Sequence, residues 1–136
     1  MQPLLAAHLA FKKHILAGLK EYGLKPGQPK VMLCVSSYPG CQQKDIAENC
    51  YVETATLSSV LSHMEKLNLI ERRQNAKDKR SYSIYPTAEA QPLYEAVEER
   101  FKKTMSVALS GFTEEEVKQF TGYLERMEKN LSESMG

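Results

Sequence analysis

Apolar residues recur with helical periods along most of the chain and alternate in only one stretch. From Pro3 to Tyr22 they form two lines on one predicted helix, Leu5, Leu9, Leu16 and Leu19 on one and Leu4, Phe11, Ile15 and Tyr22 on the other, at spacings of three, four or seven. An apolar surface that wide needs cover on two sides, which suggests a partner chain as well as the chain's own core. Gly23 is expected at the left-handed position that ends the helix. A second helix begins within Pro26 to Pro29, because proline is tolerated only in a first turn. It runs through Val31, Met32, Leu33 and Val35 and stops at Tyr38-Pro39-Gly40.

Two short helical stretches follow, Gln42 to Glu48 and Thr54 to Leu67, separated by Asn49-Cys50-Tyr51-Val52. That is helix-turn-helix spacing, with Ile46 and Ala47 facing inward from the first stretch and Leu57, Val60, Leu61, Met64 and Leu67 from the second. Asn68 can take the left-handed conformation that closes a helix. Leu69 to Arg73 and Ser81 to Tyr85 then read as two strands joined into a hairpin by the polar link Gln74 to Arg80. Pro86-Thr87 opens a long helix with Thr87 as N-cap and with Leu93, Val97, Phe101 and Met105 at steps of four, and Gly111 ends it.

The last helix carries the clearest local signal. Thr113 is its N-cap, Glu116 completes a capping box, and Phe112 and Val117 occupy hydrophobic-staple positions. Val117, Phe120, Leu124, Met127 and Leu131 then repeat at three, four, three and four, the seam of a coiled coil. The same stripe is compatible with packing on the chain's own core; a dimer interface is the expectation, because a lone helix needs no such seam.

Composition narrows the picture further. With 136 residues, 42% hydrophobic and 26% charged, the chain has the size of one ordinary globular domain. No apolar run is long enough to cross a bilayer and no signal peptide opens the chain, so a cytoplasmic protein with no membrane partner is expected. Cys34, Cys41 and Cys50 make neither an even disulfide framework nor a Cys-x-x-Cys pair, and reduced, inert thiols are the first reading, with redox sensing as the alternative. His8, His14 and His63 lack zinc-site spacing, so no metal and no cofactor are expected.

Charge is unevenly spread. Residues 1–86 carry 12 Lys and Arg against 7 Asp and Glu, whereas residues 87–136 carry 6 against 10. Within the basic half, the stretch Arg72 to Arg80 holds five basic residues and one acidic. A basic loop alone is usually just a solvated surface, but this one follows a helix-turn-helix directly. A helix placed in a major groove brings such a hairpin beside the phosphates and the minor groove. The outer side of the second motif helix offers Thr54, Thr56, Ser58, Ser59, Ser62 and His63 to phosphate oxygens or base edges, with capping the alternative role for Thr54 and Thr56 and a solvated face for His63.

The stretch Val52 to Thr87, with Leu61, Leu69-Ile70-Glu71-Arg72, Asp78-Lys79-Arg80 and Thr87, resembles the MarR family of multiple-antibiotic-resistance-type regulators, and Gly23-Leu24 with Gln28 matches upstream. The resemblance implies a mainly α fold with a small β-hairpin wing. One domain over 1–136 would hold a winged helix-turn-helix lobe at 26–88 and dimerisation helices at 3–22 and 87–135. It further implies that Thr54 to Leu67 is the recognition helix, that Arg80 reaches the minor groove with Lys77 and Lys79 beside it, and that Asp78 orients the wing's basic groups. Leu5, Leu9 and Leu16 would join the seam of Val117, Phe120, Leu124, Met127 and Leu131 in the homodimer.

Two subunits would then read an inverted-repeat operator on double-stranded DNA, as a transcription repressor released by a small aromatic or anionic effector. His8, Phe11, Lys12, Ile15, Met32 and Tyr38 are the candidate lining of its crevice, although ordinary core roles for the apolar ones and surface roles for the polar ones are the first reading. The chain departs from the family at Ser59, often an arginine, so operator readout should lean on wing, backbone and shape. Asn68, Pro86 and Lys25 stand where the family has Gly, Leu and a Thr cap. The thiol-sensing branch uses a cysteine in the first helix, which this chain lacks. A protein-binding winged-helix adaptor is the rival class, with an acidic or apolar wing as its mark. No phosphate-cradling loop or nucleophile elbow points to an enzyme.

Overall fold

The computed structural model describes residues Met1–Gly136. Six α-helices and one hairpin follow one another as α1 (Pro3–Gly18), α2 (Gln28–Ser37), α3 (Gln43–Cys50), α4 (Thr54–Lys66), β1 (Ile70–Gln74), β2 (Tyr82–Pro86), α5 (Gln91–Ala108) and α6 (Glu114–Met135). The chain divides into two compact units, Met1–Lys102 and Lys103–Gly136, with the boundary inside α5.

In the first unit, Val31, Met32 and Val35 of α2, Ile46 of α3, Leu57, Leu61 and Met64 of α4, Ile70 and Ile84 of the hairpin and Tyr94 and Val97 of α5 form one buried core. Ile15 and Leu19 add to it from the amino-terminal segment. Of the two apolar lines expected on α1, these two residues are buried, whereas Leu4, Leu5, Leu9 and Tyr22 are exposed. The helix is also shorter than its apolar pattern: it gives way to a 3-10 turn over Lys20–Tyr22, closed by Gly23 at φ 66°. Gly18 leaves room in α1 for the Arg100 guanidinium, which lies against it; an added Cβ would meet Arg100 Nε at 1.9 Å and oblige that side chain to move. From there Arg100 donates to the His14 carbonyl through Nε at 3.1 Å and Nη2 at 2.6 Å.

Local chemistry sets the remaining boundaries. The fully buried Gln28 accepts the Lys25 N–H through Oε1 at 2.9 Å, which braces the turn before α2. Tyr51 takes the left-handed conformation at φ 53° between α3 and α4 and Asn68 does so at φ 58° after α4; Asn tolerates this better than most side chains. β1 and β2 pair antiparallel with Arg72 opposite Ile84, and Cys41 adds a bridge to Ile84 on its other side. The strands lie one residue later than the alternation predicted.

α5 also begins later than expected, at Gln91 instead of just after Thr87. The Thr87 hydroxyl does accept from the Ala90 N–H at 3.2 Å, but it donates to the Asn68 carbonyl at 2.6 Å, so it caps the preceding turn and holds that turn to the end of α4. Tyr94 donates its phenol proton to the Leu69 carbonyl at 2.8 Å in the same buried junction, and burial raises its pKa.

In the second unit, α6 starts with the full capping box. Thr113 Oγ1 accepts from Glu116 N–H at 3.1 Å and Glu116 Oε1 accepts from Thr113 N–H at 2.9 Å. Phe112 packs its ring 6.0 Å from that of Phe120. None of the residues of α6 is buried.

Candidate nucleic-acid interface

Three buried residues of α4, Leu57, Leu61 and Met64, fix its rotation in the lobe. At 100° per residue, that turns Thr54, Thr56, Ser58, Ser59 and Ser62 to solvent and leaves His63 half-buried. The N-cap of α4 is Glu53, whose side chain makes no capping bond, and Thr54 lies one position inside the helix. Ser58 is partly engaged: its Oγ accepts from Gln43 Nε2 of α3 at 2.6 Å, tying the two motif helices together. At the start of α3, the Asp45 carboxylate accepts the Gln42 N–H at 2.9 Å.

The wing is a closed loop with outward-pointing cations. Asn75 Oδ1 accepts from Lys77 N–H at 2.9 Å, Asp78 Oδ1 accepts from Arg80 N–H at 3.0 Å, and Gln74 Nε2 donates to the Lys79 carbonyl at 2.7 Å. These bonds use the loop's own polar groups to shape its tip. Asp78 Oδ1 also stands 3.5 Å from Arg80 Nε, while the Arg80 side chain is 93% exposed. Lys77 and Lys79 are exposed beside it. At the wing's base, Arg73 lies over the Tyr85 ring at 4.0 Å and bonds the Glu71 carboxylate. Arg72 is more enclosed, with Nε 3.7 Å from Glu65 Oε1 of α4, and it lines a cleft with Lys44 and Arg80. Lys44 and Arg72 had no place among the expected contacts; only the fold brings the start of α3 to the wing.

A separate cavity of about 240 Å³ is lined by His8, Phe11, Lys12 and Ile15 together with Leu16, Gly27, Pro29, Lys30 and Phe101. Phe11 and Phe101 place their ring centroids 6.2 Å apart at its wall. Two residues expected there lie elsewhere. Met32 is fully buried in the lobe core, on the inward side of α2, and Tyr38 is the 61% exposed residue that ends the same helix. Pro29 and Lys30 take their place, since the first turn of α2 is what meets α1.

The cysteines all lie in the first unit. Burial, then the neighbouring Cys50 and Asp45, push the Cys34 thiol up to about 12, and burial with nearby Cys34 and Asp45 pushes Cys41 up to about 11. Both are therefore protonated and poorly nucleophilic at neutral pH. Of the expected seam, Leu5, Leu9, Phe120, Leu124, Met127 and Leu131 are exposed, whereas Leu16 and Val117 are half-buried. No helix is long and apolar enough to cross a membrane.

Residues 24–82 match the MarR family model. The HTH-type transcriptional repressor MdtR of Bacillus subtilis (strain 168) is 30% identical over 105 residues, spanning 77% of this chain and 68% of that protein. Among solved structures, the transcriptional regulator SlyA superposes with a TM-score of 0.91 at 30% identity, covering 97% of this chain and 93% of its own. A MarR family transcriptional regulator from Listeria monocytogenes complexed with 26mer DNA gives 0.92 at 25% identity, over 97% and 88%. The lobe, its wing and these likenesses agree, and the chain belongs to the MarR family of winged-helix transcription regulators.

Proposed function

We propose that two copies of this chain bind an inverted-repeat operator on double-stranded DNA and repress transcription until a small effector releases them. The observation that carries the reading is the exposed Arg80 at the tip of a wing whose own hydrogen bonds hold its shape, on the same lobe as the polar outer face of α4. α4 would enter the major groove with Thr54, Thr56, Ser58, Ser59, Ser62 and His63 near bases and phosphates. Lys77, Lys79 and Arg80 would follow the backbone into the minor groove, with Asp78 as a brace rather than a contact. The repressor role follows the MdtR likeness.

Dimerisation is supported by the unburied apolar stripe of α6 and, in the first unit, by the exposed Leu5 and Leu9 of α1, which with Leu16 we assign to the same interface. Two-fold pairing sets half-site centres about 10 base pairs apart. The cavity walled by Phe11 and Phe101, with Lys12, Lys30 and His8 at its edge, suits a small aromatic anion. A ligand that binds better when the two recognition helices are wrongly spaced lowers DNA affinity by the same coupling. The chain is read as a regulator without catalysis.

Selection of bound fragments from random duplex DNA tests the reading, with an inverted repeat as the expected result. Arg80→Ala should weaken binding and lower the salt-dependence slope by about one unit per subunit, about two for the dimer, the loss of one phosphate or groove contact from each copy. An unaltered slope would place the wing away from DNA.

A further inference from the structure

The two flanks of α4 differ, and the flank away from the wing holds a second set of cations. Thr56 and His63 are seven residues apart and stack on one flank, while Ser58 and Glu65, also seven apart, stack on the other. The Ser58 flank faces α3 and the hairpin: Ser58 receives Gln43, and Glu65 stands 3.7 Å from Arg72. The Thr56 flank faces the turn before α2. There Lys25, His63 and Lys66 line one cleft of about 460 Å³ with the hydroxyls of Thr56, Ser59 and Ser62, and no acidic side chain lines it. Lys25 is held at the edge by its backbone, through the N–H bond to the buried Gln28, so its ammonium is not required for the turn.

An α-helix with its side chains is about 10–12 Å across and the major groove about 12 Å wide, so an inserted helix meets the sugar-phosphate wall on both sides. The wing accounts for one wall. From the cleft we infer that Lys25 and Lys66, with His63 and the neighbouring hydroxyls, bind backbone phosphates of the opposite strand, so that each lobe grips the groove from both flanks. The occupant is the phosphodiester backbone of duplex DNA. Cations and hydroxyls without a carboxylate among them suit an oxyanion, and their breadth along the helix suits a row of phosphates. The inference rests on the DNA-binding reading above, and it gives Ser59 a neighbour that offsets the missing arginine by backbone grip instead of base readout.

The test compares the full-length protein with Lys25→Ala, Lys66→Ala, Arg80→Ala and Lys118→Ala on one selected duplex across a salt series. Lys118 lies on α6 and controls for loss of charge alone. Lys25→Ala and Lys66→Ala should each lower the slope by about one per subunit, about two for the dimer, as Arg80→Ala does, and Lys118→Ala should leave it unchanged. Ethylation interference should lose different phosphates in the two groups, on opposite strands bordering the same groove. Circular dichroism confirms folding, which neither Lys25, exposed on a backbone-held turn, nor Lys66, exposed at the end of α4, should disturb when truncated. If Arg80→Ala lowers the slope but neither lysine variant does, the second flank is wrong and the DNA-binding reading stands. If the wild type ignores duplex DNA at low salt, both fall together.

Discussion

Helices α4 and α6 carry apolar repeats of the same kind and present them to opposite surroundings. Leu57, Leu61 and Met64 of α4 are 0% exposed, whereas Phe120, Leu124, Met127 and Leu131 of α6 are 40, 38, 40 and 57% exposed. Burying such a side chain contributes roughly 1.5–3 kcal/mol, so α6 leaves a large hydrophobic gain unrealised in a single chain. The outer faces differ in the reverse sense: that of α4 is lined with hydroxyls and flanked by cations. A helix whose apolar face is already satisfied can devote its other face to a ligand. One whose apolar face is open calls for another protein surface.

The largest effect should come from Leu124→Glu, which puts a charge into the proposed seam. Desolvating it should raise the dimer dissociation constant at least about 100-fold, with loss of operator binding. Sedimentation of this variant as an intact dimer would show that α6 is covered some other way. In α4, Leu61→Ala should destabilise the lobe by about 2–5 kcal/mol, read from the urea midpoint, because it opens a cavity in the closed core. A small cost there would mean that the core is looser than its burial indicates.

Gly18→Ala should cost at most about 1–2 kcal/mol, because displacing Arg100 from the His14 carbonyl is offset in part by the better helix propensity of alanine. Thermal melting measures it, and seam association should be unaffected. The mildest probe is alkaline pH. Cys34 and Cys41 have pKa values raised above the ordinary 9.0, so folding favours their protonated forms. That stability is complete below about pH 9 and is lost as pH rises through about 11 and 12. α6 has no cysteine, so urea midpoints should fall with pH for the lobe and should fall less in a Cys34→Ala, Cys41→Ala variant.

The helices, the wing and the capping box of α6 were legible because each rests on neighbours within one or two turns. Thr113 and Glu116 are three residues apart, and Asn68 sits at the end of a periodic run. Thr87 was read correctly as a cap, but the turn it caps, through the Ala90 N–H, comes just before α5, and its bond to the Asn68 carbonyl, 19 residues back, has no local signal. Met32 was misplaced for a related reason. An apolar residue on α2 can face a cavity or the core, and periodicity does not say which neighbour occupies each side. Lys25 stood out only as a departure from the family's usual Thr; nothing in its local sequence joins it to Lys66, 41 positions on.

By itself the sequence determined the order of elements, the basic wing and the apolar stripe of the last helix, because local periodicity, capping and charge need no distant partner to be expressed. Tertiary structure alone decided which residues share a surface: Lys44 with Arg72 and Arg80, Phe11 with Phe101, Lys25 with His63 and Lys66. The rotation of each helix about its axis is set by what its buried face packs against, and that angle selects the side chains left to meet a ligand.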